Sequence, residues 1–134
     1  MKTKILHGLC LLSLFSGLAA CSSHNKIAGF KALYSTPQQT FDTWAEAARR
    51  LDLPLLLSTY ASSARQEAEQ ELNNSSSEQM KQMQDEAHDT KFSVEQVVFE
   101  GEKAFLRVKR KLKNREEIEV VTMVREGQEW KLLP

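Results

Sequence analysis

Two hydrophobic periods divide the chain. From Thr36 to about Ala87 apolar residues recur at helical spacing, and from Lys91 onward they alternate with polar ones as in strands. Thr36-Pro37-Gln38-Gln39 predicts a helix start, with a capping hydroxyl, proline at the first helical position and Gln three residues on, a capping box. Phe41, Trp44, Ala45, Ala48 and Leu51 then form one apolar stripe. Asp52 restarts the chain, and Pro54 falls in the first turn of a short second helix with Leu53, Leu56, Leu57 and Tyr60 on its inner side. A third helix is expected from Ser62 or Ser63 to about Leu72, with the thin apolar face Ala64, Ala68 and Leu72. The polar run 73–77 breaks it, and Met80, Met83 and Ala87 predict a further turn or two.

Four strands follow, at about 91–100, 103–113, 117–125 and 129–133. Gly101 and Gly127 mark two hairpin turns and 114–116 the third. A three-residue loop at 114–116 sets Lys113 against Glu117, Lys111 against Glu119, Leu112 against Ile118, Val108 against Thr122 and Leu106 against Val124. Apolar residues then share one face and opposite charges the other, whereas a slip by one residue mixes the faces. In this register Leu106, Val108, Arg110, Val120, Thr122 and Val124 line the inner face, and Phe105, Val121 and Met123 the outer.

The beginning of the chain carries a different message. Lys2 and Lys4 precede an uncharged apolar run from Ile5 to Leu18, too short for a comfortable membrane span but suited to a secretory signal. The sequence Leu18-Ala19-Ala20-Cys21 resembles the lipobox of bacterial lipoproteins. The resemblance implies lipid transfer to the Cys21 sulfur, cleavage before it and anchoring to a membrane, and Ser22 in place of Asp implies sorting to an outer membrane, facing the periplasm. Residues 1–20 are thus expected to be the signal, 21–35 the lipidated Cys and a tether, and 36–134 a single domain. Ile27, Phe30, Leu33 and Tyr34 give the tether apolar groups that predict docking on the domain or the membrane surface.

Composition narrows the chemistry. The chain has 18 basic and 18 acidic side chains, so loss of Lys2 and Lys4 leaves a slight acidic excess and no footprint for nucleic acid. Cys10 lies in the signal and Cys21 is the anchor, which leaves no thiol for a disulfide, a metal or a nucleophile. No phosphate loop, metal-ligand spacing or Ser nucleophile motif is present, and no cofactor is expected.

Helices followed by an antiparallel meander predict an α+β domain with its N-terminal helices packed on the concave face of a curved sheet of about four strands. Over about residues 35 to 134 the chain resembles the nuclear transport factor 2-like superfamily, a cystatin-like roll. The likeness rests on Thr36-Pro37 to Trp44, on Leu51-Asp52 to Tyr60, and on the closing strand Glu129-Trp130-Lys131-Leu132-Leu133. Many members place a strand pair between the second and third helices. Here 61–73 passes directly into helix, which resembles small uncharacterised lipoproteins of that superfamily.

Enzymes of this superfamily place Asp, His or Tyr inside the cone between helices and sheet. The corresponding residues here are Asp42, Tyr60 and His88, since His24 lies in the tether. Each has a structural explanation: Asp42 favours the helix dipole, Tyr60 fills the core with its hydroxyl at the rim, and His88 sits in a solvated turn. No acid–base pair emerges. Arg110 on the apolar face either binds an anionic ligand in the concave pocket, meets a carboxylate from a helix or snorkels to the sheet edge. Arg107, Lys109, Lys111, Lys113 and Arg115 read as an ion-paired outer face or as a contact for acidic headgroups or an acidic partner. The expectation is a membrane-anchored, non-catalytic module that binds a partner protein or a small apolar ligand in a pocket of Tyr60, Leu106, Val108, Arg110, Val120, Thr122 and Val124. Homodimerisation through the sheet is included. The alternatives are a small enzyme and an envelope lipid carrier.

Overall fold

The computed structural model describes residues 30–134. The signal segment, Cys21, His24 and the tether before Phe30 lie outside the described residues. Four helices, α1 (Pro37–Arg50), α2 (Leu53–Ser58), α3 (Ser62–Asn73) and α4 (Ser77–Asp89), precede four strands, β1 (Lys91–Glu100), β2 (Lys103–Lys111), β3 (Glu116–Glu126) and β4 (Glu129–Leu132). The strands form one antiparallel sheet in the order β1-β2-β3-β4. The protein is α+β, with α1 packed against the inner face of the sheet.

Local chemistry explains the helix boundaries. Thr36 caps α1 by accepting a hydrogen bond from the Gln39 amide at 3.1 Å, but the returning Gln39 side-chain bond is absent and its Oε1 is buried without a partner. A complete capping box forms instead at Ser76–Gln79. It helps α4 to run 13 residues, well beyond the expected turn or two, together with the i,i+4 pairs Lys81–Asp85 and Gln82–Glu86. Asp52 caps α2 through the Leu55 amide. Alpha-3 has no side-chain cap of its own. Glu126, at the end of β3, accepts from both the Ser62 amide (2.7 Å) and its hydroxyl (2.8 Å).

The stripe of α1 fills the core as expected. Phe41 and Trp44 stack at 5.4 Å, and Phe92 meets both rings edge-on at 5.6 and 5.8 Å. Burying side chains of this size contributes about 1.5–3 kcal/mol each. Two polar residues beside the stripe are equally buried. Thr40 donates to the Trp130 carbonyl at 2.7 Å, and Thr43 both donates to the Leu33 carbonyl and accepts from its amide. These hydroxyls fasten β4 and the segment 30–35 to α1.

That segment is a docked strap. The Trp130 amide donates to the Tyr34 carbonyl at 2.8 Å, Lys131 Nζ lies 4.0 Å from the Tyr34 ring, and the Arg50 guanidinium lies 4.9 Å from the Phe30 ring. The far edge of β4 is closed further by Leu132, which exchanges backbone hydrogen bonds with Thr59 and Ala61 at 2.8 Å each. An edge strand is thereby blunted.

The register of the β2–β3 hairpin differs from expectation by three residues. Leu106 stands opposite Val121, Val108 opposite Glu119, Arg110 opposite Glu117 and Lys111 opposite Glu116. The turn is the four residues 112–115, closed by the Leu112 amide donating to the Arg115 carbonyl. An odd shift exchanges the two faces of a strand. Val121 and Met123 are therefore buried, 1% and 0% exposed, while Val120, Thr122 and Val124 belong to the outer row and Val120 is 49% exposed. The energetic reason is Arg110. The expected register left its guanidinium among apolar side chains at a cost of several kcal/mol, against a few tenths for each surface charge pair it satisfied.

Candidate functional site

On the inner face, the observed register gives Arg110 two carboxylates. Its Nη1 lies 3.3 Å from Glu119 Oε1 and 3.7 Å from Glu117 Oε2, and Glu117 continues to Arg115 at 3.0 Å. Glu119, which looked like an outer-face residue, is 8% exposed. The Arg110 guanidinium carbon also lies 5.9 Å from the Phe92 ring centre. A carboxylate partner was expected from a helix; it is supplied instead by the neighbouring strand β3. Two buried donors nearby, Arg110 Nε and Trp44 Nε1, have no hydrogen-bond partner among the described residues.

The expected pocket residues separate. Tyr60 (5% exposed), Leu106 and Val108 are core, and Tyr60 bridges to Leu132 beside α2. Arg110 shares the inner face with Leu106 and Val108. Val120, Thr122 and Val124 do not; they stand on the opposite side of the sheet with Phe105, whose observed partner is Thr122. Phe41, Trp44, Leu106, Val108, Val121, Met123 and Leu132 fill the space between helices and sheet. Asp42 and His88 are exposed on their helices, with Asp42 held by Gln38 at 3.0 Å, while Tyr60 is buried.

Among the described residues no helix lies over the outer face. Across its middle run Val98, Phe105 and Thr122, with Val120 and Ile118 in the next rows of β3. Val98, Ile118 and Val120 are 43%, 51% and 49% exposed. Toward one end Glu95 pairs with Arg107 and Lys109, and Glu116 with Lys109 and Lys111, at 3.2–3.8 Å. The basic cluster read from the sequence is thus largely ion-paired on this face.

A concavity of about 710 Å³ lies between α4 and the 112–115 turn. Asp85, Glu86, Asp89 and Thr90 line one side, Lys113 and Arg115 the other. The Lys81–Asp85 hydrogen bond and charge raise the Lys81 pKa above its ordinary value. The sequence offered only scattered signals for this groove, because its walls are 22 or more residues apart. Among the described residues no group of three or more His, Cys, Asp or Glu is placed to hold a metal ion, and no helix is long and apolar enough to cross a membrane.

No family model matches the chain, and no curated protein matches it. Among solved structures, the chain is similar to a nuclear transport factor 2-like protein of unknown function from Cytophaga hutchinsonii, with a TM-score of 0.40 and 11% identity. The match covers 77% of this chain and 93% of that one. At that score it carries no argument, and the α+β class rests on the four helices and four-stranded sheet themselves.

Proposed function

We propose that this chain is a lipid-anchored envelope protein whose nuclear transport factor 2-like domain is a non-catalytic binding module, with the outer face of the sheet as its protein-binding surface. The observation that carries this reading is the contrast in filling. Apart from Phe99 at its end, the inner face is packed with buried side chains, whereas Val98, Ile118 and Val120 stand exposed around Phe105 on a sheet face that no helix covers among the described residues. A contiguous exposed apolar patch of this kind marks interaction surfaces. This favours a protein partner over a small apolar ligand held in the cone. Anchoring through Cys21 rests on the sequence pattern.

Charge favours a second copy of this chain as occupant. At one end of the outer face Lys91, Arg107, Lys109 and Lys111 outnumber Glu95 and Glu116, and at the other Glu100, Glu126 and Glu129 outnumber Lys103 and Lys131. A two-fold axis perpendicular to the strands lays the basic end of each copy over the acidic end of the other.

Native mass spectrometry of the full chain in detergent tests both parts. A dimer that Val120→Lys dissociates, with no loss of folding, supports the reading, as does the mass of lipid on the wild type and its disappearance in Cys21→Ala. A photo-crosslinker at position 120 reports the occupant in cells. A monomer with no crosslink above that from exposed Gln70 on α3 removes the sheet face as a binding surface.

A further inference from the structure

The two longest charge-free stretches among the described residues are 32–41 and 53–64, in a chain of which 27% is charged. The fold lays them side by side. Phe30 meets Arg50 at the end of α1, and the Tyr34 hydroxyl shares a hydrogen bond with that of Ser58 at the end of α2, so the strap runs along α2. Thr43 holds Leu33 in place through its backbone amide and carbonyl. Pro54, Leu55 and Ser58 fall on one side of α2 at spacings of three and four, and Ser58 turns that side toward Tyr34. The result is an apolar face at the β4 edge. Leu33 is 37% exposed, Pro54 is exposed, and Leu55 and Tyr34 are partly covered. Charges at its border are engaged elsewhere: Arg50 with Glu46 at 2.6 Å, Asp52 with the Leu55 amide at 3.1 Å, and Lys131 with the Ser58 carbonyl at 2.7 Å. Lys31 stands exposed beside it.

What covers this face follows from where the chain continues. Phe30 follows Cys21 by nine positions, a separation of about 30 Å at full extension. That is about the width of a domain of this size. A lipid on Cys21 therefore keeps the end of the strap, and the face that begins there, close to the bilayer. By contrast, α3 and α4 present exposed carboxylates, Glu67 and Glu69 on one and Glu78 and Asp85 on the other. Bringing those to the headgroup boundary costs desolvation that a charge-free face avoids. We infer that the strap–α2 face rests on the bilayer that holds the Cys21 lipid, an inference that rests on the anchoring proposed above. Leu33, Pro54 and Leu55 enter the headgroup boundary. Tyr34 lies at headgroup level, as interfacial aromatics do, and Lys31 reaches the phosphates with its ammonium. With no charge at its centre, the contact depends on apolar area and not on headgroup charge. The exposed row of β3 is no part of it.

The test is amide NMR of the full chain, carrying its native lipid, in phosphatidylcholine nanodiscs with and without a nitroxide on the headgroup. Amides of 31–34 and 55–58 should broaden severalfold more than those of α4 and β1, and equally so in discs that contain phosphatidylglycerol. Leu33→Glu should remove the excess broadening without moving the unfolding midpoint. Pro54→Glu should do the same, since it adds a carboxylate in the first turn of α2, where the helix dipole favours one. Should Leu33→Glu fail to fold, Pro54→Glu decides alone. Broadening spread evenly over the surface, centred on α3, α4 or Val120, or surviving the substitutions overturns the contact while the lipid mass still supports the anchor. A chain that carries no lipid removes the anchor and this contact together.

Discussion

Neighbouring residues of β3 live in different environments. Val121 and Met123 are almost completely enclosed, whereas Val120 and Ile118, one step along the same strand, are about half exposed. From Val120 to Val124 both rows are apolar apart from one threonine, so alternation does not say which row faces the core. Further down the strand the inner row turns acidic, and there Glu117 and Glu119 meet Arg110. A single largely covered cation thereby decides the orientation of an entire hairpin. The apolar row left outside is the one that stays exposed among the described residues.

The sharpest way to break this comparison is truncation on the two rows. Leu106→Ala and Met123→Ala should each lose about 2–5 kcal/mol in urea unfolding, because each leaves a cavity in an enclosed core. Ile118→Ala and Val120→Ala should stay within about 1 kcal/mol of the parent. Equal losses on both rows would mean that the outer face is covered in the folded unit.

Next in size is the ion pair. Glu119→Ala should cost about 2–3 kcal/mol, less than the ~3–5 kcal/mol of a fully buried pair because Glu117 remains 3.7 Å from Arg110. The double change Arg110→Met with Glu119→Leu should recover most of that loss. A double variant no better than the single one would show that the pair does more than neutralise itself.

A smaller effect is expected at the tertiary cap of α3. Glu126→Ala should cost about 1 kcal/mol, the usual value of a lost helix cap. The Ser62 amide, the Ser62 hydroxyl and the nearby Lys131 and Arg65 hold the Glu126 pKa below its ordinary value. Its contribution is therefore full above about pH 4.3 and is lost as pH falls through the lowered value. The acid side of the stability profile should be flatter in Glu126→Gln than in the parent. An unchanged slope would place the titrating group elsewhere.

The smallest change in stability, under about 1 kcal/mol, is expected for Val120→Lys, which should nevertheless abolish the proposed self-association. Stability and association are measured on the same sample, so an unfolded variant cannot be mistaken for a monomeric one.

Much of the fold was legible before any coordinates. The apolar stripe from Phe41 to Ala48, the Asp52-Pro54 start and the turns at Gly101 and Gly127 are local signals, and they appear where expected. Gly101 and Gly127 both adopt positive φ, at 57° and 62°, which is the conformation those turns required. Alpha-4 was underread because its apolar face is sparse and its strength lies in a capping box and exposed pairs. Thr40 and Thr43 were missed because a hydroxyl beside an apolar stripe gives no hint that it will reach a carbonyl on β4 or the strap. Of the candidate pocket, Leu106, Val108 and Arg110 fell on the predicted face, while Val120, Thr122 and Val124 fell on the other.

The order of helices and strands, the Thr36 and Asp52 helix starts, the turns at Gly101 and Gly127 and the α+β class were legible in the sequence, because propensity, capping and periodicity act over a few residues. Only the tertiary structure decided the register of β2 against β3, the burial of Glu119, the docking of the strap and the meeting of α4 with the 112–115 turn. Each of those depends on where a charge or a hydroxyl finds its partner many residues away, and a buried polar group follows its partner even when local alternation points the other way.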